Sequence, residues 1–244
     1  MISKHKFKDF LRDIRRAIQK RTRVPGVGRI DLGTLDRVTP VSGNWGFDRG
    51  QAVDRFFIEG FLNRESGLIA GDVLEVADNT YTLRFGGDAV RSSEILHDTA
   101  GHSRATLVGD LTVIESVPAD RFDCIICTQT LQLVFDLSAA LQSLNKMLKP
   151  GGTLLLTVPG ITAISREDMD RHGDFWRFTT ASLDRILREA FDAESVSVES
   201  FGNVYSATAF LHGLAVEELD HTKLEFHDPD YQMLLAARAR KSNA

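Results

Sequence analysis

The sequence predicts an α/β domain in which short extended runs alternate with helical stretches and stack as a mostly parallel sheet with helices on both faces. Three observations predict it. Seven short extended runs are spread along the chain, with segments of helical periodicity between them. One run, residues 153–158, is apolar almost throughout, which is the pattern of a strand buried on both faces. Acidic residues recur in three successive runs, as Glu75, Glu94 and Asp110, near the carboxyl ends where a parallel sheet meets its ligands.

A chain of 244 residues is long enough for one α/β domain with appendages. Its 43% hydrophobic and 26% charged residues are ordinary globular proportions. No apolar run approaches the roughly 20 residues that crossing a bilayer requires. Residues 1–24 lack the apolar core and cleavage site of a secretory signal, so the expected location is the cytoplasm. The two cysteines, Cys124 and Cys127, form a C-x-x-C string inside an extended run. Residues three apart on a strand face opposite ways, so the expectation is two separate buried thiols. No Cys/His cluster has metal-ligand spacing, and no metal site is expected.

Residues 1–24 hold nine basic residues against Asp9 and Asp13, a net of +7. In a chain of formal charge −5 this leaves −12 for the remainder. Within this segment Phe7, Phe10, Leu11, Ile14 and Ile18 recur at helical spacing and give an amphipathic helix with a cationic face. Such a helix suits an anionic membrane or a partner protein, and it equally suits packing on its own domain. Pro25, Gly26 and Gly28 end it, and residues 25–48 read as a connector or lid. Helical periodicity resumes over 54–62, a segment expected to pack on the sheet beside the ligand cleft.

The first strand, 73–76, runs into a polar turn, Ala77, Asp78 and Asn79, where a glycine-rich turn would let backbone approach a ligand closely. The second, 92–96, carries Glu94, nineteen positions beyond Glu75. That is close to the offset of about 20 at which an acidic residue reaches ribose hydroxyls in nucleotide-binding βαβ units. The third, 105–111, is closed by Asp110, whose carboxylate can accept from an adenine amine while Leu111 packs near the base. The fourth, 122–132, leaves through polar Thr128 and Gln129. A helix over 137–148 stops at Lys149-Pro-Gly-Gly152, which leads into the fifth strand. A helix over 182–191, capped by Thr179 or Thr180, a strand over 194–198, a helix over 206–219 and a strand over 231–240 complete the chain.

Laid end to end, these pieces resemble the class I methyltransferase family, with the resemblance covering 50–240 and a methyltransferase-like domain expected over 49–244. Its most specific residues are Gly-Asp-Leu at 109–111, Phe-Asp-Cys-Ile-Ile-Cys-Thr-Gln-Thr at 122–130, the run from Leu148 to Pro159, and Trp-Arg-Phe-Thr at 176–179. These are similar to the methyltransferase-11-like group. Arg49-Gly50, Asp54-Arg55, Phe201 to Val204 and Phe210 to Gly213 further resemble its glycosyltransferase-associated bacterial members.

The resemblance implies a Rossmann-like, seven-stranded, mostly parallel sheet with an antiparallel last strand, and S-adenosylmethionine as cofactor. It further implies O-methylation of a sugar or other small polar acceptor in surface-glycan metabolism. Glu75 with Ala77, Asp78 and Asn79 would hold the methionine part, Glu94 the ribose, Asp110 and Leu111 the adenine, and Thr128 with Gln129 the face next to the sulfonium. His172, Asp174 and His212 are the candidate bases, because the loop after the fifth strand and the later insert cover that cleft in the family.

The departure from the family is the missing glycines after the first strand. It motivates the alternative of a methyltransferase-like module that docks on glycan-assembly enzymes without catalysis. In either reading residues 1–24 are the expected peripheral contact, with the inner membrane face or with a glycosyltransferase. No G-x-G-x-x-G follows the first strand, which argues against a nicotinamide-dependent dehydrogenase. The acidic body argues against a nucleic-acid partner.

Overall fold

Runs such as Cys124-Ile-Ile-Cys127 and Leu154-Leu-Leu156 offer solvent no polar face, so they are stable only as strands covered on both sides. The computed structural model describes residues 4–22 and 24–243, with the side chains of residues 4–7, 9, 20 and 21 outside that description. What was expected of the side chains of Lys4, Lys6, Phe7, Asp9, Lys20 and Arg21, and of Arg23, therefore lies outside the described residues. The chain divides into two units, Met1–Pro40 and Val41–Ala244.

In the first unit α1 spans Lys4–Thr22, and a single turn of 3-10 helix spans Gly33–Leu35. Phe10, Leu11, Ile14 and Ile18 lie on α1 at spacings that share a face, and all four are exposed.

In the second unit seven strands form one sheet: β1 (Gly71–Val76), β2 (Val90–His97), β3 (Leu107–Val108), β4 (Phe122–Thr128), β5 (Leu148–Pro159), β6 (Val196–Phe201) and β7 (Leu234–Arg240). Their order is β3-β2-β1-β4-β5-β7-β6. Neighbours from β3 to β5 are parallel, and β7 runs antiparallel to both β5 and β6. This is the Rossmann-like seven-stranded sheet with an antiparallel last strand.

Strand alternation sorts the core into two layers. Leu74, Ile125, Cys127 and Leu154 join one layer with α4 (Leu137–Met147) and α6 (Thr180–Ala190). Val73, Cys124, Ile126 and Leu155 join the other with α2 (Val53–Arg64) and α7 (Val204–His212). The two thiols are free and buried in opposite layers, and burial pushes each up to about 12.

Several boundaries differ from the sequence reading, each for a local reason. The third strand shortens to Leu107–Val108 because Asp110 and Ser116 already close a turn there, with Asp110 N–H donating to Ser116 Oγ at 2.9 Å. The fifth begins at Leu148, because Lys149-Pro-Gly-Gly152 is an irregular part of the strand. Gly151 takes φ +75° there and its N–H donates to Lys241 O. The sixth starts later, at Val196, after a 3-10 turn capped by Asp192. The expected 206–219 helix divides into α7, opened by a capping box between Asn203 and Ser206 and stopped at Gly213, and a 3-10 turn over Val216–Glu218. Gly213 takes φ +66°, and a Cβ there would lie 2.3 Å from Ser42 O, so no other residue fits without displacement. Thr179 is the N-cap of α6, with a capping box to Ser182.

Candidate functional site

The strand order reverses between β1 and β4, and a crevice opens at such a switch point beyond the carboxyl ends of the strands. A cavity of about 870 Å³ lies there, lined from the ends of β1, β2, β3 and β4. Its floor is built by Glu75. This buried carboxylate accepts the Thr82 N–H and hydroxyl, each at 2.7 Å, and the Tyr81 N–H at 3.2 Å. Those donors belong to the first turn of α3 (Thr80–Gly86), so Glu75 ties the strand to the helix that follows. Burial pushes its carboxyl up to about 7, against the lowering pull of the Thr82 and Tyr81 donors.

Between them the chain turns at Ala77, which adopts φ +77°, and its N–H donates to Leu96 O at 3.0 Å. This left-handed conformation is the one glycine adopts at no steric cost. The turn keeps its shape without the glycine and holds strain at Ala77 instead. Asp78 Oδ1 accepts the Thr80 N–H at 2.8 Å and completes the turn. Gln129, at the end of β4, also takes a positive φ, of 48°.

The structure brings Glu75, Ala77, Asp78, Asp110, Leu111, Thr128 and Gln129 to the cavity wall. It leaves others elsewhere. Asn79 donates to Ser93 Oγ at 3.1 Å and does not line the cavity. Glu94 lies in the middle of β2, is paired with Arg121 and also stays off the wall. Val76 is level with Leu96 in the parallel register, so the residues level with the Ala77–Asp78 turn are His97 and Asp98. The acidic side chain at the mouth of β2 is therefore Asp98. The 19-residue offset selected Glu94 because spacing in sequence ignores how far each strand extends. The signal that finds Asp98 was in the sequence, as the first acidic residue after Leu96, where the second run ends.

Of the candidate bases only His172 meets the larger cavity. It follows α5 (Arg166–Arg171), and its Nδ1 lies 3.7 Å from Asp98 Oδ2. Asp174 is engaged on every side. Arg177 donates to both carboxylate oxygens at 2.6 and 2.8 Å, and Ser165 N–H donates at 2.9 Å. Burial raises its carboxyl, but the Arg177 and Ser165 donors outweigh this and hold it below the usual range. It is an ion-paired clamp on the loop after β5, not an available base. His212 ends α7 and lines neither cavity, and its carbonyl accepts the N–H groups of Val41 and Ser42. A second cavity of about 200 Å³ adjoins the first and shares Phe47, Arg55, Gln129, Leu133 and Asp168 with it.

A methyltransferase-domain family model matches residues 49–208, more than half of the chain. The chain belongs to this methyltransferase family. A search of curated proteins finds no match. Among solved structures, a protein provisionally named a sarcosine dimethylglycine methyltransferase from Galdieria sulphuraria is 16% identical at a TM-score of 0.50. The match covers 78% of this chain and 90% of that one. The [4+2]-cyclase SpnF is 17% identical at a TM-score of 0.50, over 80% of this chain and 85% of that one. A SAM-dependent methyltransferase from Archaeoglobus fulgidus is 13% identical at 0.49, over 77% and 94%. At these identities the two likenesses with a TM-score of 0.50 speak for the fold alone.

S-adenosylmethionine is the cofactor of the methyltransferase domain, and the residues present fit it. The cavity has the size of a pocket for a ligand of that class, about 300–1,000 Å³. Its wall sets the Asp98 carboxylate and the apolar Leu111 at separate strand ends, and the Ala77 turn keeps the backbone shape that a close approach needs.

Proposed function

We propose that the chain is an O-methyltransferase acting on a sugar or another small polar acceptor in surface-glycan metabolism. The observation that carries this reading is the smaller cavity. It meets the cofactor cavity at Gln129 and carries hydrogen-bonding groups from Gln132, Thr162, Asp168 and Arg177 beside Trp45 and Phe47. Polar groups against aromatic faces suit a small hydroxylated acceptor. The glycan context rests on the sequence resemblance. Of the residues that carry it, Arg49 pairs with Glu218 and Asn203 caps α7, whereas Asp54 and Arg55 reach the smaller cavity.

In this reading the turn from Ala77 to Thr80 receives the methionine part and Asp98 the ribose. Asp110 and Leu111 receive the adenine, and Thr128 with Gln129 border the reacting methyl. Asp110 Oδ1 already accepts the Thr112 N–H and hydroxyl, at 2.8 and 2.7 Å, which orients the carboxylate. The bound cofactor supplies an electrophilic methyl group. The protein's part is to place an acceptor oxygen in line with it, exclude water and remove one proton. The docking alternative was motivated by the missing glycines, and the left-handed turn retained at Ala77 favours the enzyme.

We propose in addition that α1 holds the enzyme at an anionic membrane face. Its exposed apolar residues and the +7 charge of residues 1–24 support this. The catalytic reading is tested with methyl-tritiated S-adenosylmethionine and a panel of free sugars, glycosides, nucleotide sugars and small primary amines. Label transferred to a hydroxylated member supports it, and label transferred only to amines overturns it.

A further inference from the structure

We propose that Asp54 binds the acceptor's hydroxyl and takes its proton. The proposal rests on the reading of the chain as a methyltransferase of hydroxylated acceptors. Asp54 is the second residue of α2 and lines the smaller cavity but not the cofactor cavity. Its side chain is 13% exposed, and Oδ2 lies 3.5 Å from Arg55 Nη1. Oδ1 is buried and has no hydrogen-bond partner among the described residues. A buried carboxylate oxygen without a donor costs folding free energy, so a fold that keeps one beside a cavity has a use for it. An acceptor O–H in the smaller cavity supplies the missing donor.

The other buried carboxylate in that cavity, Asp174, is already saturated by Arg177 and Ser165. Burial raises the Asp54 carboxyl, opposed by the Arg55 charge and by the backbone N–H groups of Arg55 and Asp54 and helped by Glu59, and the net rise makes it the stronger base. The charged or titratable groups around it are Arg55 and Glu59 on α2, Tyr81 on α3, and Asp168, Asp174 and Arg177 across the cavity.

In the step itself, Asp54 Oδ1 accepts the hydroxyl proton while the acceptor oxygen forms its bond to the methyl carbon. The electron pair of the breaking carbon–sulfur bond stays with sulfur, giving S-adenosylhomocysteine, and the proton on Asp54 later leaves to solvent.

The test uses the full-length chain and Asp54→Asn in three measurements. S-adenosylhomocysteine binding by calorimetry should stay within about two-fold of wild type. A loss of ten-fold or more would place Asp54 in the cofactor site or the fold and overturn the proposal. With 13C-labelled aspartate in the S-adenosylhomocysteine complex, the Asp54 carboxyl resonance is identified by its loss in Asp54→Asn. Glycerol serves as the hydroxyl probe, and its addition should shift that resonance to saturation and lower its titration midpoint, since a donor favours the carboxylate. A resonance indifferent to glycerol rejects the assignment.

On a methylated member of the acceptor panel, kcat should fall roughly 100-fold or more with KM within a few-fold. The acid limb of the pH–rate profile should vanish in Asp54→Asn and return in part in Asp54→Glu. Wild-type rates with the limb intact would also reject the proposal. If wild type methylates no panel member, the functional reading fails, while the glycerol titration still decides the role of Asp54.

Discussion

At the scale of single residues, the proposed cofactor site turns on which carboxylate stands at the mouth of β2. Asp98 lines the cavity, whereas Glu94 pairs with Arg121 through Oε1 alone and stays off the wall. Asp98→Asn should weaken S-adenosylhomocysteine binding by about 1–3 kcal/mol, the scale of hydrogen bonds to a charged group, whereas Glu94→Gln should leave it within two-fold. Calorimetry on the two variants checks this, and the reverse pattern would restore Glu94 as the ribose ligand.

Glu75 adds a pH dependence. Burial lifts its folded carboxyl from 4.5 to about 7, so below pH 4.5 the folded and unfolded states are protonated alike and nothing is lost. As pH rises from 4.5 through 7 the unfolded chain ionises more readily than the folded one, and stability drains by up to about 3 kcal/mol. Glu75→Gln removes this slope. The melting temperature of wild type minus that of Glu75→Gln should fall between pH 5 and pH 7.5, and a constant difference would show that Glu75 titrates normally.

At the scale of elements, the helices divide by what terminates them. Asn203 opens α7 by accepting the N–H groups of Tyr205 and Ser206, and its amide nitrogen donates to the carbonyls of Lys223 and Phe226. It thereby fastens α7 to α8 (His221–Glu225). The stop at Gly213 is set by the approach of the Ser42 carbonyl, a contact across 171 positions of sequence.

The first helix poses a different question. Among the described residues no helix is long and apolar enough to cross a membrane, and the proposed role of α1 is to lie along a surface. Each basic residue near an anionic leaflet contributes about 1 kcal/mol. Deleting residues 1–24 should abolish sedimentation with phosphatidylserine vesicles and leave the melting temperature within about 2 °C. If the full-length chain never sediments, and the truncated chain melts several degrees lower, the helix is a structural part of the protein.

At the scale of the whole molecule, one sheet supports a core on each face and a cleft at its switch point. Ligand binding to the folded state alone stabilises all of it by mass action. S-adenosylhomocysteine at 100 times its Kd should add about 2.7 kcal/mol. For a domain of this size that raises Tm by roughly 5–10 °C. A thermal scan without such a shift would put cofactor binding by this chain in question.

The alternation of strands and helices, the burial of the central strands on both faces, and the separation of Cys124 from Cys127 are legible in the sequence. These follow from local periodicity, which any folded arrangement of the chain must respect. The sequence also showed that polar groups gather at strand ends, as Asp110, Thr128 and Gln129 do at the cavity. Which carboxylate stands at the mouth of β2 emerges from the folded arrangement. That depends on the register setting Val76 level with Leu96, a pairing between strands that spacing along one chain cannot measure. The fold also decided that Ala77 keeps a glycine's conformation, and that Asp174 is consumed by Arg177. It left Asp54 Oδ1 unpartnered in the smaller cavity. The register is a pairing between strands, and Asp174 is saturated only when the Ser165 N–H joins its local partner Arg177, because hydrogen-bond saturation and burial belong to an environment and not to a residue.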